Sequence, residues 1–141
     1  MEQDFSRRAV IVVRTDLLGW QSANVVAHIA AYLGNALKDS FATGSVFTSA
    51  DGTDYPRNAQ YPIIIKSAAT SGELTSLLAE VRAQGMLHLG FIREMIETTD
   101  DAEIVRILAT KPDADIELLG VGLFGTNEEA SALTKKFGLA K

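Results

Sequence analysis

The sequence has 141 residues, 47% of them hydrophobic, and a formal net charge of −5 at pH 7; this suits one compact domain over residues 1–141 with a core of its own. The absence of cysteine excludes disulfides, thiolate metal sites and cysteine nucleophiles. The excess of acid argues against avid nucleic-acid binding, which needs clustered lysine and arginine to release counterions from phosphate.

In chain order, the opening Met1-Glu2-Gln3-Asp4-Phe5 is acidic and lacks the basic, apolar and small-residue order of a signal peptide, so a cytoplasmic protein is expected. Residues 9–13, Ala-Val-Ile-Val-Val, are β-branched and apolar without alternation, the pattern of a strand covered on both faces. Arg7, Arg8 and Arg14 flank it, and Lys135, Lys136 and Lys141 crowd the C-terminus; they read as solvated surface charge, with a local basic patch as the alternative. From residue 20 to about 37, Val25, Val26, Ile29, Leu33 and Leu37 recur at helical spacing, with Tyr32 and Ala36 widening the stripe. Residues 38–60 are rich in Ser, Thr, Gly and Asp, and Asp51-Gly52 suggests a short hairpin. A second strand is predicted over residues 61–66, with Pro62 at its start where no ladder bond is lost.

Thr70-Ser71-Gly72-Glu73 reads as a capping box opening a helix that carries Leu74, Leu77, Leu78 and Val81 and stops at Gly85. Residues 86–92 form the third predicted strand, 101–109 a short helix ending before Lys111-Pro112, and 116–124 the fourth strand. Thr126-Asn127-Glu128-Glu129 opens the last helix with a second capping box. Strands alternating with helices predict an α/β domain with helices on both faces of its sheet. No stretch is apolar for long enough to span a membrane, and none reads as a repeat or a linker.

The segment Val12-Val13-Arg14-Thr15-Asp16-Leu17, followed by a helix ending Ala30-Ala31-Tyr32-Leu33-Gly34, resembles the opening of type 2 peptidyl-tRNA hydrolases. A closer likeness is to an uncharacterised bacterial family related to that fold. It is carried by Leu17-Leu18-Gly19-Trp20-Gln21-Ser22-Ala23-Asn24-Val25 and by Ala50-Asp51-Gly52-Thr53-Asp54-Tyr55. It continues through Ile92-Arg93-Glu94 and Leu119-Gly120-Val121-Gly122-Leu123. The resemblance implies a four-stranded mixed sheet with helices on both faces, type 2 peptidyl-tRNA hydrolase-like, in a homodimer. It also implies a site near the start of the first helix, where the hydrolases carry a catalytic lysine in a Gly-Lys-Gly-Lys segment. Here that segment reads Gly19-Trp20-Gln21-Ser22-Ala23, without a lysine, and only Gln21 or Asn24 could donate to an oxyanion. The hydrolases' acidic residue and threonine after the third strand correspond to Glu94 and Thr98, a carboxylate and hydroxyl that could orient water or simply form a turn and a helix cap.

Three further readings come from the residues themselves. Gln21, Asn24 and His28 fall at i, i+3 and i+7, a neutral polar stripe starting just after Asp16 at the carboxyl end of the first strand, where open α/β sheets bind ligands; it reads either as the boundary between the buried and wet faces of the helix or as a wall of a small-molecule pocket. Trp20 could supply a flat apolar wall there, and Tyr55-Pro56-Arg57 could fold over the same region. Gly120-Val121-Gly122-Leu123-Phe124-Gly125 matches a dinucleotide-binding string, but Glu128 and Glu129 in the following helix turn would repel pyrophosphate, so close packing is the expected role of these glycines.

His28 and His88, the only histidines, lie far apart in sequence, so no metal site is expected; no cofactor is expected either. His88 between Leu87 and Leu89 reads as a satisfied core residue. Two functions follow: a binding module for a small-molecule ligand lined by Asp16, Trp20, Gln21, Asn24 and His28, or a hydrolase acting on peptidyl-tRNA or a smaller ester or amide with Glu94, Thr98 and Asn24 as catalytic residues. The missing lysine and acidic charge argue against tRNA as a partner.

Overall fold

The elements of the computed structural model are, in chain order, β1 (Arg7–Arg14), α1 (Gly19–Leu37), hairpin strands β2 (Val46–Thr48) and β3 (Asp54–Pro56), β4 (Ile63–Ala68), α2 (Ser71–Ala83), β5 (Leu87–Ile92), α3 (Glu94–Glu97), α4 (Asp101–Ala109), β6 (Leu118–Thr126), α5 (Asn127–Thr134) and β7 (Gly138–Leu139). The structure describes residues 3–41 and 44–141. Met1 and Glu2 of the acidic opening, and Ala42 and Thr43 of the 38–60 excursion, lie outside the described residues.

The unbroken apolar run of β1 is explained by its place. The main sheet has the order β5-β6-β1-β4-β7, and β1 sits at its centre, parallel to β4 and antiparallel to β6. Val10 and Val12 point into one core, beneath α2 and α5, while Ala9, Ile11 and Val13 point into the other, beneath α1. All five are buried, and each large side chain so placed contributes about 1.5–3 kcal/mol of transfer free energy. Helices thus cover both faces of a mixed sheet.

Local signals place most boundaries. The Thr70 hydroxyl accepts from the Glu73 N–H at 3.2 Å and the Thr126 hydroxyl from the Glu129 N–H at 3.2 Å, capping α2 and α5. Gly85 ends α2 with φ +65°, and Gly52 turns the β2–β3 hairpin with φ +88°, conformations that side chains with a Cβ rarely adopt. Pro62 stays outside β4, and its carbonyl accepts from the Ala9 N–H at 2.9 Å. No helix among the described residues is long and apolar enough to cross a membrane.

One expectation needs correction: the main sheet has five strands rather than four. The fifth, β7, is two residues long and pairs only with Lys66 and Ser67 of β4. A Gly-Leu pair has no periodicity to read; tertiary pairing alone makes it a strand.

The glycines of β6 let α1 approach. A Cβ on Gly122 would lie 2.0 Å from Ile29 Cγ2, and one on Gly120 would lie 2.7 Å from Val25 Cγ1. Both clashes are with α1 residues that have no solvent exposure, so the helix cannot yield without lifting off the sheet. Gly122→Ala is therefore expected to destabilise the protein by about 1–3 kcal/mol through overpacking. In urea denaturation, Ile29→Ala combined with Gly122→Ala should lose less than the sum of the two single losses; strict additivity would show that the contact does not set the helix height.

Candidate functional site

The first helix presents two parallel rows. Val25, Ile29 and Leu33 form the buried row, and the residues just before each of them, with Trp20 one turn earlier, give a second row at i, i+4, i+8 and i+12: Trp20, Asn24, His28 and Tyr32. One residue back is about 100° around a helix, so this row looks past the sheet edge rather than into the core. Strand β5 is that edge. Beyond it the chain folds back through α3 and α4, leaving a cleft of about 510 Å³. Leu89 and Phe91 from β5, Met95 and Ile96 from α3, Thr98 and Thr99 from the connection, and Asp101 and Ile104 from α4 complete its walls. The volume lies in the range of small-molecule sites.

Aromatic side chains dominate the α1 side. Trp20 is 61% exposed and Tyr32 44% exposed, while the His28 ring lies 6.0 Å from that of Phe91 at an interplanar angle of 51°. Of the cleft's lining, only Trp20, Asn24, His28 and Thr98 were anticipated from the sequence; the contributions of β5, α4 and Tyr32, among others, were not. For Tyr32 the signal was present in the i+4 spacing from Trp20, Asn24 and His28, but its apolar ring also fitted the core stripe.

The other residues singled out from the sequence go elsewhere. The Gln21 side chain accepts from the Leu18 N–H at 3.0 Å, closing the start of α1. Asp16 accepts from Arg14 Nε at 2.9 Å and from Nη2 at 2.5 Å. The Glu94 carboxylate is buried and bound to Lys111 Nζ at 2.5 Å, which holds it below its ordinary pKa. The other Glu94 oxygen is buried with no hydrogen-bond partner among the described residues. Thr98 does line the cleft, but its hydroxyl donates to Glu103 Oε2 at 3.0 Å and accepts from the Asp100 N–H at 3.1 Å. Asn24, Thr98, Trp20 and His28 are therefore brought together, and Glu94, Gln21 and Asp16 are not. Tyr55 stands exposed on the hairpin, away from these walls.

His88 makes the satisfying contact expected of it, with Nδ1 2.8 Å from the Met86 carbonyl. It is half-buried and borders a smaller cavity, about 240 Å³, on the opposite face of β5 beside Arg82 and Asp113. Among the described residues no group of three His, Asp or Glu side chains is arranged to hold a metal ion.

Charge is concentrated next to the cleft rather than in it. Glu117, at the foot of β6, accepts from Arg93 at 2.7 and 2.8 Å and from Arg14 at 2.5 Å. The topology dictates this bridge: β6 lies between β1 and β5 and runs antiparallel to both, so its start meets the ends of its two neighbours. A register shift at Phe91/Ile92 marks the same place. Arg93, then Arg14, pull the Glu117 pKa down from 4.5 to about 2.

The protein of unknown function Atu0240 from Agrobacterium tumefaciens strain C58 has the same fold. Its solved structure superposes with a TM-score of 0.83 over 98% of this chain and 100% of the other, at 20% sequence identity. Residues 7–141 match the family described as "Protein of unknown function (DUF2000)", and the chain belongs to that family. No curated protein matches it.

Two outcomes test the ionic contacts. Because the folded Glu117 pKa lies below the ordinary value, its contribution is fully present above about pH 4.5 and disappears as pH falls toward 2. The side chain is 38% exposed, so solvent screening limits this contribution to about 1 kcal/mol. Urea midpoints of Glu117→Gln should fall below wild type at pH 7 and converge with it near pH 2; a gap independent of pH would contradict the assignment. Lys111→Ala should lower the pH 7 midpoint more than Glu94→Gln, because it strands a buried carboxylate without its partner.

Proposed function

We propose that the protein is a small-molecule-binding module on a type 2 peptidyl-tRNA hydrolase-like scaffold, holding its ligand in the cleft between α1 and the α3–α4 segment without hydrolysing it. The observation that carries this reading is that Trp20, Asn24 and His28 share the walls of one cleft of about 510 Å³, while the Glu94 carboxylate is turned to Lys111. Acting together on one reacting atom requires convergence, and the candidate base stands apart from the candidate donors. Thr98 is committed to the turn into α4 by two hydrogen bonds. No lysine or arginine lines the cleft to stabilise an oxyanion in place of the missing catalytic lysine. The cleft suits retention instead: apolar and aromatic walls provide contact area, and a few polar groups fix orientation.

Trp20 is the sole tryptophan, so the site carries its own reporter. The neutral dye N-phenyl-1-naphthylamine is expected to bind with one-to-one saturation and to quench Trp20 emission by energy transfer. Asn24→Phe, which adds bulk at a half-buried cleft position, should abolish both signals while leaving the circular dichroism spectrum intact. Incubation with peptidyl-tRNA should release no peptide even at high protein concentration. Turnover that disappears in the Asn24→Ala, Glu94→Ala double variant would overturn the binding reading in favour of hydrolysis.

A further inference from the structure

The chemistry of the cleft points to a class of ligand, an inference that rests on the binding reading above. Helix α1 carries no Asp, Glu, Lys or Arg along its 19 residues, so the wall it contributes has no fixed charge. The one carboxylate among the lining residues is Asp101, in the first turn of α4, and no lysine or arginine is among them. Asp101 is exposed and makes no ion pair or hydrogen bond among the described residues. It is not needed as the cap of α4, because Asp100 performs that task by accepting from the Ala102 N–H at 2.9 Å. An unpaired carboxylate therefore borders a cleft whose exposed aromatic lining is Trp20 and Tyr32, with the buried Phe91 at its floor.

Aromatic faces carry negative quadrupole potential and attract cations, while a desolvating wall strengthens the attraction. An anion entering the same space would meet Asp101 with no lysine or arginine among the lining residues to offset it. The Asn24 amide and the Thr99 hydroxyl also have no hydrogen-bond partner among the described residues, so both can accept from an ammonium or amine N–H. From Trp20 to Tyr32 is twelve residues of helix, roughly 18 Å, which favours an elongated molecule.

We propose that the cleft takes an organic cation: an amine or ammonium group held beside Asp101, joined to an apolar or flat aromatic body lying along Trp20 and Tyr32.

Three dansyl probes of nearly equal size test this by energy transfer from Trp20. They are dansylcadaverine, with a terminal amine, dansyl-6-aminohexanoate, with a terminal carboxylate, and neutral dansyl-hexylamide. The amine is expected to bind about fivefold more tightly than the carboxylate at low ionic strength, the size of effect a rim ion pair provides. Asp101→Asn should remove the preference, and 0.5 M salt should shrink it. Since Asp101 is exposed, the variant is expected to keep the wild-type circular dichroism spectrum. Binding of all three probes with equal affinity, or a preference that survives Asp101→Asn, would overturn the ligand class and leave the binding reading standing. Failure of all three to bind would overturn both. Exclusion of the probes by a concentration-dependent dimer, seen in sedimentation velocity, would replace the small cation with a second copy as the occupant of the cleft.

Discussion

The close approach of α1 to β6 is the constraint on which the remaining geometry hangs. Ile29 and Val25 occupy the space that side chains on Gly122 and Gly120 would take, so the helix lies directly against the strand. Buried side chains cannot be compressed, and a single added methyl would have to lift or tilt the helix. That fixed height also fixes the direction of the next row of the helix. Trp20, Asn24, His28 and Tyr32 clear the sheet edge because their neighbours Val25, Ile29 and Leu33 are locked beneath them. A motif that looks in sequence like a phosphate cradle is thus a packing device, and its effect on the cleft is indirect.

The second organising feature is the segregation of charge. Where β1, β5 and β6 meet, Arg14, Arg93, Glu117 and Asp16 neutralise one another through short contacts. A few residues away, Glu94 and Lys111 form their own pair across the α3–α4 segment. These pairings commit the charged groups at this end of the sheet to one another. What is left in the cleft is weakly polar and aromatic, apart from Asp101. The proposed binding role rests on this lining, since acceleration of hydrolysis calls for charge placed where charge develops.

Helix α4 is the wall with the least support. It has no fully buried residue, and Val105 is 67% exposed. Its attachments are the partial packing of Leu108 against the core and the polar contacts at its two ends, Thr98–Glu103 and Glu94–Lys111. A wall held mainly at its ends opens at lower free energy than the sheet core.

Features that depend on a few neighbouring residues were legible in the order of the amino acids. The apolar run of β1, the helical spacing of α1 and α2, the Thr70 and Thr126 caps, and the turns at Gly52 and Gly85 were all legible, because periodicity and backbone preference act over one or two turns of chain. The packing role of the β6 glycines was also legible, from the acidic first turn that follows them. Only the tertiary structure decided the two-residue strand β7, whose pairing partner is some seventy residues away in the chain. It likewise decided that Glu94 turns to Lys111, 17 residues on, and that Arg14 reaches Glu117, 103 residues on. The cleft is of the same kind: Asn24, Phe91 and Asp101 come from three elements and no local pattern relates them. A side chain's propensity is written in its neighbourhood, whereas the partner that pairs or buries it is chosen by the path of the whole chain.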